Sequence, residues 1–170
     1  MSRFLIALCF ALSSAFSSQL LAAMPENFFE VSPGIYRSAQ PAIDDLEDLK
    51  SAGIKTIVDL NDDHGIVAEE RAKAEELGVT FLHRPMSGFW RPDDQQVNEI
   101  LSQVRNPENY PLLIHCQYGE DRTGLIVGLH RVEEEKWNPE AAYGEMLERG
   151  FHPVLIFLKR YFKYRTGFDD

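Results

Sequence analysis

The chain has 170 residues, 44% of them hydrophobic and 26% charged, and its formal charge at pH 7 is −10. That length suits one domain with a core of its own. The acidic balance speaks against nucleic acid or an anionic membrane as a partner, so any anionic ligand must be held by a local pocket against the overall field.

In chain order, Arg3 precedes an apolar run over 4–16, Ser-rich residues and Leu21-Ala22-Ala23. Residues 1–23 read as a secretory signal with a small-residue cleavage site, the apolar run being short for a membrane span. The expectation is a mature domain over 24–170, periplasmic or secreted, with no stable membrane association. Arg3 is the one charged side chain in 1–23, so cleavage moves the formal charge from −10 to −11. It also removes Cys9, one of two cysteines, and leaves Cys116 without a disulfide partner in its own chain.

Residues 24–33 read as an extended lead-in, and Gly34-Ile35-Tyr36-Arg37 as a first short strand. Pro41 suits a helix start, Leu46 and Leu49 give that helix its apolar stripe, and Gly53 closes it. The β-branched run 54–60 predicts a buried strand ending in the polar loop Asn61-Asp62-Asp63-His64-Gly65. A helix is expected over 66–77, a strand over 79–82, and then a loop over 83–94 rich in Gly, Pro and aromatics. Val97, Ile100, Leu101 and Val104 have helical spacing. Residues 112–116 predict another strand, followed by a loop and a helix to about Lys136. Asn138-Pro139 cap and start a further helix, and Pro153 opens the last one. Strands alternate with helices through the first two-thirds. This predicts an α/β, three-layer fold with a central, mainly parallel, four- to five-stranded sheet and helices on both faces. Its site would lie beyond the strand C-terminal ends, where Cys116 and the loops 61–65 and 83–94 converge.

The densest chemistry is His115-Cys116-Gln117-Tyr118-Gly119-Glu120-Asp121-Arg122-Thr123-Gly124. An apolar strand leads in and an apolar helix follows. Converging backbone N–H groups and a helix N-terminus suit a bound phosphate. Arg122 can meet two phosphate oxygens with its planar fork, and the same field favours a thiolate at Cys116.

Cys-x5-Arg-Thr-Gly with a preceding His resembles the phosphate loop of the cysteine-dependent protein tyrosine and dual-specificity phosphatases, and implies their fold. Gly34-Ile35-Tyr36-Arg37-Ser38-x-x-Pro41 resembles the opening of plant and fungal atypical dual-specificity phosphatases. Val58-Asp59-Leu60-x-x-Asp63-His64-Gly65 is similar to a stretch of the tyrosine-phosphatase-like phytases, with Asn61 in place of that family's Arg. The resemblance implies a phosphomonoesterase in which Cys116 is the nucleophile. Arg122 and the loop from Gln117 through Tyr118, Gly119 and Glu120 to Gly124 would hold the phosphoryl oxygens. Thr123 would donate to the thiolate, and His115 would tie the loop and steady the sulfur. Asp121 is the general acid by resemblance to myotubularins and secreted bacterial phosphatases with Asp-Arg-Thr here. Asp93 and Asp94, which follow Trp90 and Pro92 out of the usual Trp-Pro-Asp order, are the alternative acids.

Both narrower resemblances imply inositol polyphosphates such as phytate, with phosphoprotein as the alternative substrate. A polyanion needs further cations, and Arg37, Lys55, His64, His83, Arg84 and Arg91 are the expected rim, with Trp90 walling the pocket. No cofactor is implied, and one cysteine and five scattered histidines offer no metal-ligand spacing.

Overall fold

The computed structural model describes residues 24–169; the predicted signal, residues 1–23, lies outside them. A five-stranded sheet has the order β1 (Phe29–Ser32), β2 (Ile35–Ser38), β5 (Leu112–His115), β3 (Thr56–Asp59), β4 (Thr80–His83). β2, β5, β3 and β4 run parallel and β1 is antiparallel. The lead-in expected to be merely extended therefore forms a strand. Gly34, at φ +83°, turns the chain so that Phe29 pairs with Arg37.

β3 and β5 are buried on both faces, as central parallel strands must be. Their alternating side chains divide the core. Leu113, Ile57 and Phe81 pack with Leu46 and Leu49 of α1 (Asp45–Ser51) and Val67 and Ala74 of α2 (His64–Glu76). On the other face, Leu112, Ile114 and Val58 meet α3 (Asp94–Arg105), α4 (Asp121–Glu133), α5 (Pro139–Glu148) and α6 (Ile156–Thr166). Helices thus cover both faces. On α3, Val97, Ile100, Leu101 and Val104 are all buried, and each contributes on the order of 1.5–3 kcal/mol.

Two helices start later than the prolines suggest: α1 begins at Asp45 rather than Pro41, and α6 at Ile156 rather than Pro153. In each case the residues after proline form a turn first, with Ala42 N–H donating to Asp45 Oδ2 and Leu155 N–H to the His152 carbonyl. α4 stops at Glu133 instead of Lys136, which takes φ +63°. No described helix is long and apolar enough to cross a membrane.

Candidate active site

Cys116 follows the last residue of β5 and is buried, and Asp121 opens α4 five residues later. Between them the chain folds tightly against the end of β2. Gly119 takes φ +71°, and a Cβ there would run into the Ser38 carbonyl, so both its angle and its position demand glycine. Gln40 N–H donates to the Gln117 carbonyl at 3.2 Å, and Asn27 Nδ2 to the Tyr118 carbonyl at 2.9 Å. Two donors from outside the loop thus tie it down.

Arg122 is buried at the mouth of this turn. Its Nη1 reaches Asp62 Oδ1 at 2.8 Å and the carbonyls of Leu60 and Met86 at 3.3 Å each. The three loops expected to converge do so on this guanidinium. Asp62, with 62% of its side chain exposed, is the counter-charge; neither motif nor spacing singled it out from its acidic neighbours. Thr123 is fully buried and its hydroxyl has no hydrogen-bond partner, leaving a donor free next to the loop.

Arg37 corrects an expectation. It is 1% exposed and lies beneath the loop, donating from Nη2 to the Gly119 carbonyl, with its guanidinium 5.1 Å from the Phe29 ring. Burial pulls its pKa down to about 10, against the opposing pull of Glu145 and Cys116. As an inward residue of β2 it supports the loop from below and does not form part of a rim. Lys55 is also misplaced by the sequence reading. It precedes β3 and donates its amide to Pro111, at the sheet edge opposite Cys116.

The other rim cations are largely engaged. His83 Nε2 lies 2.8 Å from the Asn61 carbonyl, and Arg84 donates to the His83 carbonyl at 2.9 Å. Arg91 sits 3.5 Å from Asp94 and 5.0 Å from the rings of both Tyr161 and Tyr164. His64 is the first residue of α2. What stands free here is aromatic: Phe89, Trp90 and Tyr118 are 74%, 69% and 61% exposed. Trp90 stacks obliquely at 5.7 Å on Phe157, beside a groove of about 450 Å³ lined by Phe89, Val154, Leu155 and Ile156. The same loop brings Gly88 against Arg122.

The candidate acids separate by their contacts. Asp93 caps α3, accepting from Gln95 and Gln96 N–H at 2.9 and 3.2 Å. Asp94 faces Arg91. Asp121 stands in the first turn of α4 beside Arg122, and its Oδ1 accepts the His152 N–H at 2.8 Å. Glu120 is drawn to the same histidine at 3.9 Å and packs over Gly150, which has no Cβ to obstruct it.

Beside the cysteine, the motif histidine His115 belongs to a buried set whose member Glu70 motif reasoning missed. His115 is fully buried, with Nε2 3.0 Å from Glu70 Oε1 and Nδ1 3.9 Å from Asp59 Oδ1. Burial alone would lower the His115 pKa, but Glu70, Asp59 and Cys116 outweigh it and raise it. Asp59 is pushed up by burial, partly offset by His115 and the Asn61 amide. Two trios, Asp59–Glu70–His115 and Glu120–Asp121–His152, bring potential metal-ligating atoms within 4.8 Å, a proximity created by the fold and invisible in spacing.

A profile described as the tyrosine phosphatase family matches residues 22–166. The dual specificity protein phosphatase TpbA of Pseudomonas aeruginosa is 33% identical over 126 residues, which is 74% of this chain and 55% of that protein. An inositol diphosphatase of Arabidopsis thaliana is 32% identical over 124 residues, 71% of this chain and 62% of that protein. The chain therefore spans little more than half the length of these curated relatives. The crystal structure of P. aeruginosa TpbA has a TM-score of 0.70 at 29% identity, covering 85% of this chain and 86% of that one. The core catalytic domain of a PP-IP phosphatase from S. cerevisiae gives 0.71 at 27% identity, covering 81% and 86%. A cysteine at a strand end, a glycine-dependent turn and an arginine at a helix start thus sit in a fold these proteins share, and the chain belongs to the tyrosine phosphatase family.

Proposed function

We propose that this protein hydrolyses phosphomonoesters through a phosphocysteine at Cys116. The observation that carries the reading is the placement of Cys116 at the end of β5 under a tight loop, with Arg122 at the loop's mouth. Cys116 Sγ attacks phosphorus in line, and the bond to the leaving oxygen breaks as Asp121 gives that oxygen a proton. Water then attacks the phosphocysteine, returns a proton to Asp121 and releases inorganic phosphate. Arg122 leaves Asp62 to hold two phosphoryl oxygens, and the loop N–H groups hold the rest. Thr123 donates to the sulfur as it departs. Cys116→Ser tests this: turnover of an aryl phosphate should vanish while the thermal midpoint and phosphate binding persist. Retained turnover would refute the nucleophile.

For the substrate, side-chain placement favours a phosphotyrosyl group over a polyanion. Arg37 and Lys55 do not line the mouth, Arg91 and Arg122 already have acidic neighbours, and the exposed rings are Tyr118 in the loop and Phe89 and Trp90 next to Gly88, which approaches Arg122. An aryl dianion needs one cradle and an apolar wall, whereas phytate needs several free cations. Inositol phosphates remain the second reading, supported by the relatives named as inositol diphosphatases and as a PP-IP phosphatase. Phosphate release from a phosphotyrosine peptide and from phytate, measured side by side, separates them. A tenfold preference in kcat/KM, about 1.4 kcal/mol, in favour of phytate would reverse the order.

Export is part of the proposal. It rests on the leader-like composition of residues 1–23 and on a family match that begins at residue 22. A mature N-terminus near residue 23 or 24 in the exported fraction is the expected result, and an intact Met1 there would contradict it.

A further inference from the structure

We propose that Glu70 is a positioning residue for the hydrolysis, holding His115 as an imidazolium behind Cys116 so that the nucleophile meets a cation from the strand side as well as Arg122 at the mouth. The inference rests on the nucleophile reading above and adds a residue from a helix that carries no motif.

Glu70 is fully buried in the middle of α2, a helix whose other acidic side chains Glu69, Glu75 and Glu76 are exposed. A buried carboxylate is costly unless it is paired and hydrogen-bonded. Gln40 Nε2 donates to Glu70 Oε2 at 2.7 Å, and Oε1 faces His115 Nε2 at 3.0 Å, an ion-pair distance at which neither atom has an aligned hydrogen bond to any group. Gln40 is itself fixed, since its amide N–H holds the Gln117 carbonyl and its side-chain oxygen accepts from Asn61 Nδ2. One residue therefore fastens both the phosphate loop and the carboxylate behind it.

The charged groups facing His115 come from two elements. Glu70 approaches from α2 and Asp59 from β3, and His83 lies behind Asp59 at 3.9 Å. Asp59 has its Oδ1 on the Asn61 N–H at 2.8 Å and is pushed by burial toward its protonated form. That leaves Glu70 as the nearer partner for a charged ring. Low local dielectric strengthens such a pair, and an imidazolium next in sequence to the cysteine favours its negative form.

The test is Glu70→Gln, which keeps shape and the contact to Gln40 but removes the charge. The acidic limb of its kcat/KM profile should move to higher pH, with activity down about tenfold at about pH 6 and close to wild type at about pH 8.5. A uniform loss at every pH would mean a structural role only and would overturn the proposal. A second measurement needs no variant to fold. In the wild-type protein, the His115 ring nitrogens should give the NMR signature of an imidazolium beyond the ordinary histidine range. A neutral His115 ring at pH 7 would also overturn it. Failure of the parent reading is recognised separately, because activity would then survive alkylation of Cys116.

Discussion

At the residue scale the account turns on which carboxylate moves the proton. Asp121 touches His152 and stands next to Arg122, Asp62 touches Arg122, and Asp93 is occupied as a helix cap. Asp121→Asn should slow esters with poor leaving groups by about 10²–10⁴-fold and p-nitrophenyl phosphate far less, because only the former need the proton. Asp62→Asn should change both alike, through the arginine it releases. Equal losses for Asp121→Asn on the two ester types would transfer the acid role elsewhere. Arg37 makes a different kind of prediction. Arg37→Met keeps the volume but leaves the Gly119 carbonyl without its charged donor, a loss of about 1.5–3 kcal/mol, read as a lower thermal midpoint together with weaker phosphate binding. An unchanged midpoint would show that the loop needs no support from β2.

Elements decide how closely these residues approach one another. α4 carries the loop's helix end and packs against α5 and α6, and Gly128 is where they meet. A Cβ at Gly128 would lie 2.6 Å from Met146 Sδ and 3.1 Å from Phe162. Gly128→Ala should therefore cost about 1–3 kcal/mol by overpacking, with kcat falling as the start of α4 shifts. Equal stability would mean that Met146 yields freely. Helix α3 was legible because four apolar residues repeat at helical spacing, and β5 because it is a short apolar run before a tight turn. The tight turn after β5 was legible for a stronger reason: Cys116, Gly119 and Arg122 are close neighbours in the chain. Strand β1 was not legible, since its four residues gain their partner only from the turn at Gly34. Arg37 was read as a rim cation because alternation along a four-residue strand does not reveal which face is inward. Glu70 looked like any glutamate of an acidic helix, and its role comes from burial that no local pattern encodes.

For the whole molecule, the buried His115–Glu70 pair links function to pH. The folded-state pKa of His115 is raised above 6.5, so its contribution to stability is complete below that value and is lost as pH rises through the raised one. His130, lowered by burial, works in the opposite sense and favours the folded state at higher pH. A difference between proteins isolates the pair: the thermal midpoint of wild type minus that of Glu70→Gln should be greatest at about pH 6 and shrink toward about pH 9. A difference independent of pH would mean that the ring is uncharged. No step of the proposed reaction requires a metal, and activity should survive a chelator even though two trios could hold an ion. The central claim is that phosphorus passes through sulfur. The most direct measurement is a rapid acid quench of Asp121→Asn turning over an aryl phosphate, followed by mass analysis of the peptide containing Cys116. The account predicts one added phosphoryl group on that cysteine, formed and lost at catalytically competent rates. An unmodified cysteine during turnover, or the label on another side chain, would contradict it.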